Sequence, residues 1–369
     1  SQYDVRIAGE VSDFDPTDWI DRKLLKRCDR FVQFALAATN MALTDAQFEI
    51  TEKNRNRVGV LIGSGIGGMQ TWEEQYEILL NRGPSRVSPF LVPKMIIDMA
   101  SGMVSIQTGA RGPNSAIATA CASAGHAIGE AAVTIRRGAA EIMITGGAEA
   151  TISPTAMAGF TSARALSTRN DDPQRSCRPF DRDRDGFVVG EGSTILILEE
   201  LEHAQERGAK IWGELTGYGA SADAWHVTAP DPEGVGACLA MEAALNDAGL
   251  EPADIDYVNA HAPGTPNGDA MEAKALAATF TDSVPISSTK SIHAHQLGAT
   301  SATELVACML AMRDSLIPYT VNCDNLDESV PQHLDIVCGE LRTAHVDVAM
   351  SNSFGFGGHN AVLIVSRFV

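Results

Sequence analysis

No apolar run in this sequence approaches the roughly 18 residues that a membrane-spanning helix needs. The opening residues, SQYDVRIAGE, carry neither a basic start nor an apolar stretch, which argues against a secretory signal. A chain without membrane association, in a cytoplasmic or plastid-like setting, is expected. Cysteine is sparse: the seven residues at 28, 121, 177, 238, 308, 323 and 338 are scattered and never fall in C-x-x-C spacing. Neither a disulfide framework nor a zinc site is favoured by that pattern, and most of these cysteines read as small core residues. Positive charge is short as well, with 28 Lys and Arg against 47 Asp and Glu, a net charge of −19. Phosphate would be repelled over most of the surface, which excludes general nucleic-acid binding.

One early segment reverses that trend. In DRKLLKRCDR, Arg22, Lys23, Lys26, Arg27 and Arg30 recur at roughly helical spacing, which predicts several on one exposed face. Pattern alone leaves two readings: a solvated helix face, or a landing site for an acidic partner.

With 44% hydrophobic residues over 369 positions, the chain can bury one large α/β body or two similar halves. Apolar β-rich runs alternate with Ala-rich stretches of helical period, as in RVGVLIG, CASAGHAIGEAAVTIRRG, EIMITGG and STILILEELEHAQERG. The rhythm returns in GVGACLAMEAALNDAGL, IDYVNAH, DAMEAKALAATF and VAMSNSFGFGGHNAVLIV. Such alternation predicts an α/β fold with helix-covered sheets. No Pro/Ser-rich linker divides it, so residues 1–208 and 209–369, meeting near Gly208, are expected to pack intimately.

Two motifs promise more than they deliver. Gly63-Ser64-Gly65-Ile66-Gly67-Gly68 fits G-x-G-x-x-G after a strand-like run, but MQTWEEQYEILL follows where a small-residue helix opening is needed. A permissive turn beside an active site is the better reading. Asp181-x-Asp183-x-Asp185-Gly186 begins like a calcium loop, yet its twelfth position is Gly192 and Glu191 falls one place early. It reads as a structural turn.

In NSAIATACASAGHAIGEAAV, Cys121 stands where a small-residue helix begins, so free amides and the helix dipole would favour its thiolate. An inert buried cysteine is the competing reading. Two strand-to-loop junctions downstream end in histidines: IDYVNAH in His261, and SSTKSIHAH in His293 and His295, just beyond Lys290. One candidate nucleophile with histidines at two strand ends is the pattern of cysteine-based acyl chemistry. SNSFGFGGHN is a Gly-rich turn whose backbone could approach a substrate and donate an amide to an oxyanion.

Taken in order and spacing, TACASAGHAIGEA, GGAEA, STRNDDPQRSCRPFDRDRDGFVVGEG, YVNAH, SSTKS with His295, and SNSFGFGGHN resemble the β-ketoacyl-[acyl-carrier-protein] synthases of the elongating type II branch. The resemblance spans essentially the whole chain. It implies the α/β thiolase fold: two duplicated halves, each with a mixed five-stranded sheet, in five αβαβα layers, usually dimeric. It further implies that Cys121 takes the acyl chain, with the amides of Cys121 and Phe356 as oxyanion donors. His261 and His295 would assist decarboxylation of malonyl-carrier protein, with Lys290 ordering the region and Glu272 as its structural partner. Phe356 resembles a gating residue with Phe354 behind it, Ile66 and Phe160 acyl-pocket residues, and Thr228 and Thr265 threonines that grip a phosphopantetheine arm. No resident cofactor is implied, since phosphopantetheine arrives on the acyl carrier protein. Lys23, Lys26 and Arg27 match a basic face that meets that acidic partner.

Three departures from the family pattern stand out. His261-Ala262-Pro263-Gly264-Thr265-Pro266 has a proline in place of one of two pantetheine-binding threonines, and His293-Ala294-His295 replaces Thr-Gly-His. The chain also begins roughly one strand and helix into the pattern, which would leave the first half short of a central strand buried on both faces. Two alternatives accompany the condensing-enzyme reading. One is a silent chain-length-factor-type subunit in a heterodimer, which usually lacks the nucleophile that Cys121 supplies here. The other is a thiolase-like coenzyme A acyltransferase, against which the two histidines argue.

Overall fold

The computed structural model describes residues 2–369. The first sheet comprises β1 (Val58–Gly63), β2 (Asn114–Ile117), β3 (Ile142–Glu149) and β4 (Gly192–Glu199), in the order β2-β1-β3-β4. β1 is a continuous apolar run, β3 (IMITGGAE) an apolar run that ends in small residues and Glu149; both are buried along their whole length and pair in parallel, as strands covered on both faces commonly do. β2 adds in parallel outside β1, and β4 antiparallel outside β3.

The second half supplies β5 (Glu214–Ala222), β6 (Tyr257–Asn259), β7 (Pro285–Ser287), the two-residue β8 (Leu316–Ile317), β9 (Asp335–Ile336) and β10 (Arg342–Thr343), β11 (Val348–Gly355) and β12 (His359–Ser366). β8 and β10 form a separate small ladder; the rest order as β5-β12-β11-β6-β7-β9. Within it, β7-β6-β11-β12 repeats the pairing of β2-β1-β3-β4, two parallel contacts followed by one antiparallel. The halves are duplicates.

The expectation of five strands in each sheet is corrected to four and six. β9 adds a two-residue edge beside β7, and β5 adds an edge strand beside β12. Along β4, where β5 stands in the other half, runs a groove of about 600 Å³ lined by Ile195, Ile197, Trp212, Met309 and Phe368. The expected loss of a central strand is likewise corrected: β1, β3 and β4 close against one another without an interior gap.

The first half carries α1 (Arg22–Leu25), α2 (Arg30–Asp45), α3 (Met69–Arg82), α4 (Leu91–Met95), α5 (Met99–Thr108), α6 (Ser123–Arg136), α7 (Pro154–Ser162) and α8 (Leu201–Glu206). The second carries α9 (Val235–Ala248), α10 (Pro266–Thr279), α11 (Lys290–His293) and α12 (Thr300–Asp314). α6 and α12 touch each other and both sheets, so they form the middle layer, while α2 and α5 cover one outer face and α9 and α10 the other. Small residues allow that close approach: a Cβ at Gly129 of α6 would lie 2.3 Å from the Tyr218 ring. The apolar layer between the sheets, including Ala124, Ile128, Leu305 and Met312, fixes the start of α6 against the second half. That is where Cys121 sits.

Candidate active site

Cys121 lies in a single 3-10 turn, Ala120–Ala122, that leads into α6. Ser123 holds the turn, its Oγ accepting from the Thr119 amide at 2.9 Å and donating to the Ala120 carbonyl at 2.6 Å. The end of β11 presses on the same turn. A Cβ on Gly355 would stand 2.7 Å from the Thr119 carbonyl and 3.1 Å from the Cys121 amide, so only glycine lets Phe356 come so close. His295 places Nε2 3.1 Å from Cys121 Sγ, and its Nδ1 lies 3.0 Å from Thr300 Oγ1 at the start of α12.

His261 follows β6 and closes the other side, its ring 5.4 Å from that of His295 and 5.9 Å from that of Phe354. Its main chain is fixed by Glu272 of α10, whose carboxylate accepts from the His261 amide at 2.8 Å and the Ala262 amide at 2.6 Å. Asn352 Nδ2 donates to the same carboxylate at 3.2 Å. Lys290, fully buried, pairs with Glu304 of α12. The direct ion-pair partner of Lys290 is thus Glu304, while Glu272, expected as a structural partner in the same network, feels the Lys290 charge and holds the His261 backbone.

Burial dominates the ionisation of these groups. It pushes the Cys121 thiol up to about 11, opposed by the charge of Lys290 and the amides of Phe356 and Cys121. Desolvation therefore works against the helix-start amides, which by themselves favour the thiolate. Burial, reinforced by Lys290, drives both His261 and His295 well below the usual histidine range. Cys121 and His295 meet as thiol and neutral imidazole. Desolvation also lifts Glu272 and Glu304 to about 7, and lowers His293 to about 4. The additional imidazole of His293 therefore brings no charge near neutral pH; its nitrogens lie 3.1 Å from Thr289 Oγ1 and 2.8 Å from the Ala294 carbonyl.

The replacement of glycine by Ala294 leaves a mark. Ala294 has φ +61° and ψ −177°, a conformation suited to glycine, immediately before His295. Its methyl group faces two glycines: a Cβ added to Gly9 would lie 3.0 Å from it, and one added to Gly190 3.3 Å.

Cys121, His261 and His295 open onto a cavity of about 470 Å³. Ile66, Phe160, Thr228, Thr265, Phe354 and Phe356 all line it. Phe187, which sequence reasoning did not single out, stacks edge-on with both Phe160 and His295, at 5.6 and 5.2 Å. The loop after His261 is held by Asp269, which accepts from the amides of Gly264 at 3.1 Å and Thr265 at 3.0 Å. The Gly63–Gly68 turn cradles a carboxylate of the protein itself: Glu149 accepts from the Gly65 amide at 2.7 Å and the Ile66 amide at 3.3 Å, and from Ser64 Oγ at 3.1 Å. Asp181 and Asp185 turn to separate partners, the Asn325 amide at 2.9 Å and Ser167 Oγ at 2.7 Å, as a structural turn requires.

The basic segment does not form one helix face. α1 ends at Leu25 and Arg30 opens α2, where it bonds Glu191 at 2.7 Å and stacks over Phe34. Lys23, Lys26 and Arg27 stay exposed, with Arg27 over the Phe90 ring at 5.5 Å.

The sequence matches the family models for the β-ketoacyl synthase N-terminal domain over residues 2–204 and C-terminal domain over residues 212–324. The chain belongs to the β-ketoacyl synthase family. Relatives within it include 3-oxoacyl-[acyl-carrier-protein] synthase 2 of Synechocystis sp., 51% identical over 366 residues that cover 98% of this chain and 88% of that protein. The protein of the same description from Staphylococcus aureus strain COL is 51% identical over 369 residues, 99% of this chain and 88% of its own. Among solved structures, a β-ketoacyl synthase from Burkholderia phymatum superposes with a TM-score of 0.94 at 37% identity, over 100% of this chain and 90% of that one. The type II polyketide ketosynthase AntDE, solved with its acyl-carrier protein AntF, gives a TM-score of 0.90 at 31% identity, over 100% and 89%.

With Phe187, the polar residues Glu304, Glu149 and Thr300 are contributors that sequence reasoning missed. Each polar group is embedded in small or apolar residues, in TSATELVACML and EIMITGGAEA, and that embedding was the available signal.

Proposed function

We propose that this protein catalyses decarboxylative Claisen condensation of a Cys121-bound acyl chain with malonyl-[acyl-carrier-protein], giving 3-oxoacyl-[acyl-carrier-protein]. The observation that carries this reading is the approach of His295 Nε2 to Cys121 Sγ at 3.1 Å, with His261 across the same cavity. In the first half-reaction His295 takes the thiol proton, sulfur bonds the acyl carbonyl carbon, and the carrier thiol leaves with that proton. The amides of Cys121 and Phe356 face the developing oxyanion. In the second, carbon dioxide leaves the malonyl group, the enolate carbon bonds the acyl carbon, and the acyl carbon–sulfur bond breaks to release Cys121, which regains its thiol by taking up one proton from solvent. Neutral His261 and His295 are suited to donate hydrogen bonds to the enolate oxygen. Thr300 Oγ1 can donate to or accept from His295 Nδ1, so it supports either tautomer.

Phe356 and Phe354 gate the cavity in this reading, Ile66 and Phe160 receive the acyl chain, and Thr228 and Thr265 grip the phosphopantetheine arm. Lys23, Lys26 and Arg27 receive the acyl carrier protein. A homodimer is supported by the outer strand β2, where Asn114 and Ser115 are exposed, and by the exposed stacked pair Trp72–Tyr76 on α3. A cytoplasmic setting fits seven free cysteines, and no helix among the described residues is long and apolar enough to cross a membrane. Incubation with acyl-carrier protein should add the acyl mass to the peptide containing Cys121. Acylation that persists in Cys121→Ala would refute the nucleophile and with it the reaction.

A further inference from the structure

We infer that Cys121, His261 and His295 form a binding site for zinc, occupied in competition with the acyl chain. One ligand atom from each residue lies within 4.8 Å of the others, and the three come from separate elements: the turn before α6, the end of β6 and the segment before α12. One sulfur and two imidazole nitrogens are the donor set that zinc takes, whereas magnesium and calcium require oxygen ligands. A tetrahedral zinc ion separates sulfur from nitrogen by about 3.5 Å and nitrogen from nitrogen by about 3.3 Å. The 3.1 Å pair of Cys121 and His295 is already near that spacing, and the His261 ligand atom lies within 4.8 Å of both.

Three further features suit the site to a cation. His295 Nδ1 is engaged by Thr300 Oγ1, the outer contact that aims the other nitrogen at a metal. The His261 side chain is more than nine-tenths buried, and its Nδ1 has no hydrogen-bond partner among the described residues. The fourth position faces the cavity, where water completes the tetrahedron. Binding forms the sulfur–zinc bond and releases the thiol proton to solvent. An acyl group on the same sulfur removes that ligand, so acyl-enzyme and zinc form exclude each other.

The test is anaerobic titration of the full chain with cobalt(II), read by absorption. The expected result is saturation at one equivalent, with a thiolate-to-cobalt charge-transfer band and the visible bands of tetrahedral cobalt, both displaced by zinc. Cys121→Ala should abolish the charge-transfer band, Cys238→Ala should leave it unchanged, and His261→Ala should weaken binding at least about tenfold. Zinc should slow iodoacetamide labelling of the Cys121 peptide, and chelation should restore it. Melting curves establish that each variant folds, with Cys121→Ser as the closer isostere. Absence of the charge-transfer band, or its survival in folded Cys121→Ala or Cys121→Ser, would overturn the site. Because the readout is metal absorption, a protein that binds cobalt without condensing acyl chains refutes only the proposed reaction.

Discussion

Lys290 and Glu304, fourteen positions apart and both fully buried, form an ion pair behind the cysteine–histidine cluster. The Lys290 charge lowers the proton affinity of Cys121, His261 and His295 alike. The pair is thus an electrostatic support for the whole cluster as well as a structural contact.

Breaking this pair should cost folding stability of about 3–5 kcal/mol, because one charge is left buried alone. Lys290→Met and Glu304→Leu are expected to lower the denaturant midpoint separately. The double variant should recover much of the loss. Equal or additive losses in the double variant would contradict a direct pairing.

Ionisation of Cys121 gives a pH prediction. With its thiol raised to about 11, the thiolate fraction grows about tenfold per pH unit below that value. Iodoacetamide labelling of Cys121, in chelator, should climb through pH 6 to 9 without levelling. A plateau with a midpoint near neutrality would mean that the resting state is a thiolate–imidazolium pair.

His295→Ala should slow carbon dioxide release from malonyl-[acyl-carrier-protein] by roughly 10²- to 10⁴-fold, the usual contribution of a positioned proton donor or acceptor. Release of labelled carbon dioxide is the direct measurement. An unchanged rate removes His295 from the decarboxylation step.

Replacing Lys23, Lys26 and Arg27 by Glu should reduce the association rate with acyl carrier protein by roughly tenfold or more at low salt, and flatten its salt dependence. Arg30→Glu should act differently, lowering the melting temperature, since Arg30 is paired with Glu191 and stacked on Phe34. Surface plasmon resonance and calorimetry separate the two effects.

The α/β alternation was legible because β1 and the first half of β3 are apolar, β-branched runs and α6 is rich in small residues. Cys121, His261 and His295 were legible because each stands at an element boundary, where side chains collect around sites. Pairings across long separations were not. Arg30 looked like a free cation because its partner, Glu191, lies 161 positions away. Glu304 sits in a helical run where an acidic residue ordinarily marks the solvent face. The thiol state of Cys121 depends on how much water the packed cavity removes, a property of three dimensions that no local motif encodes.

Ala294 restricts the order in which this chain can vary. Its methyl group occupies the space that a side chain at Gly9 or Gly190 would need, and its own backbone conformation favours glycine. A side chain at Gly9, whose next neighbours lie at 3.7 Å and beyond, becomes tolerable more readily once Ala294 has reverted, so those two positions are epistatic, whereas Gly190 would still meet Gln296 and the His293 carbonyl at 3.3 Å. Drift in the N-terminal segment around Gly9 is thereby tied to a residue one peptide bond from His295.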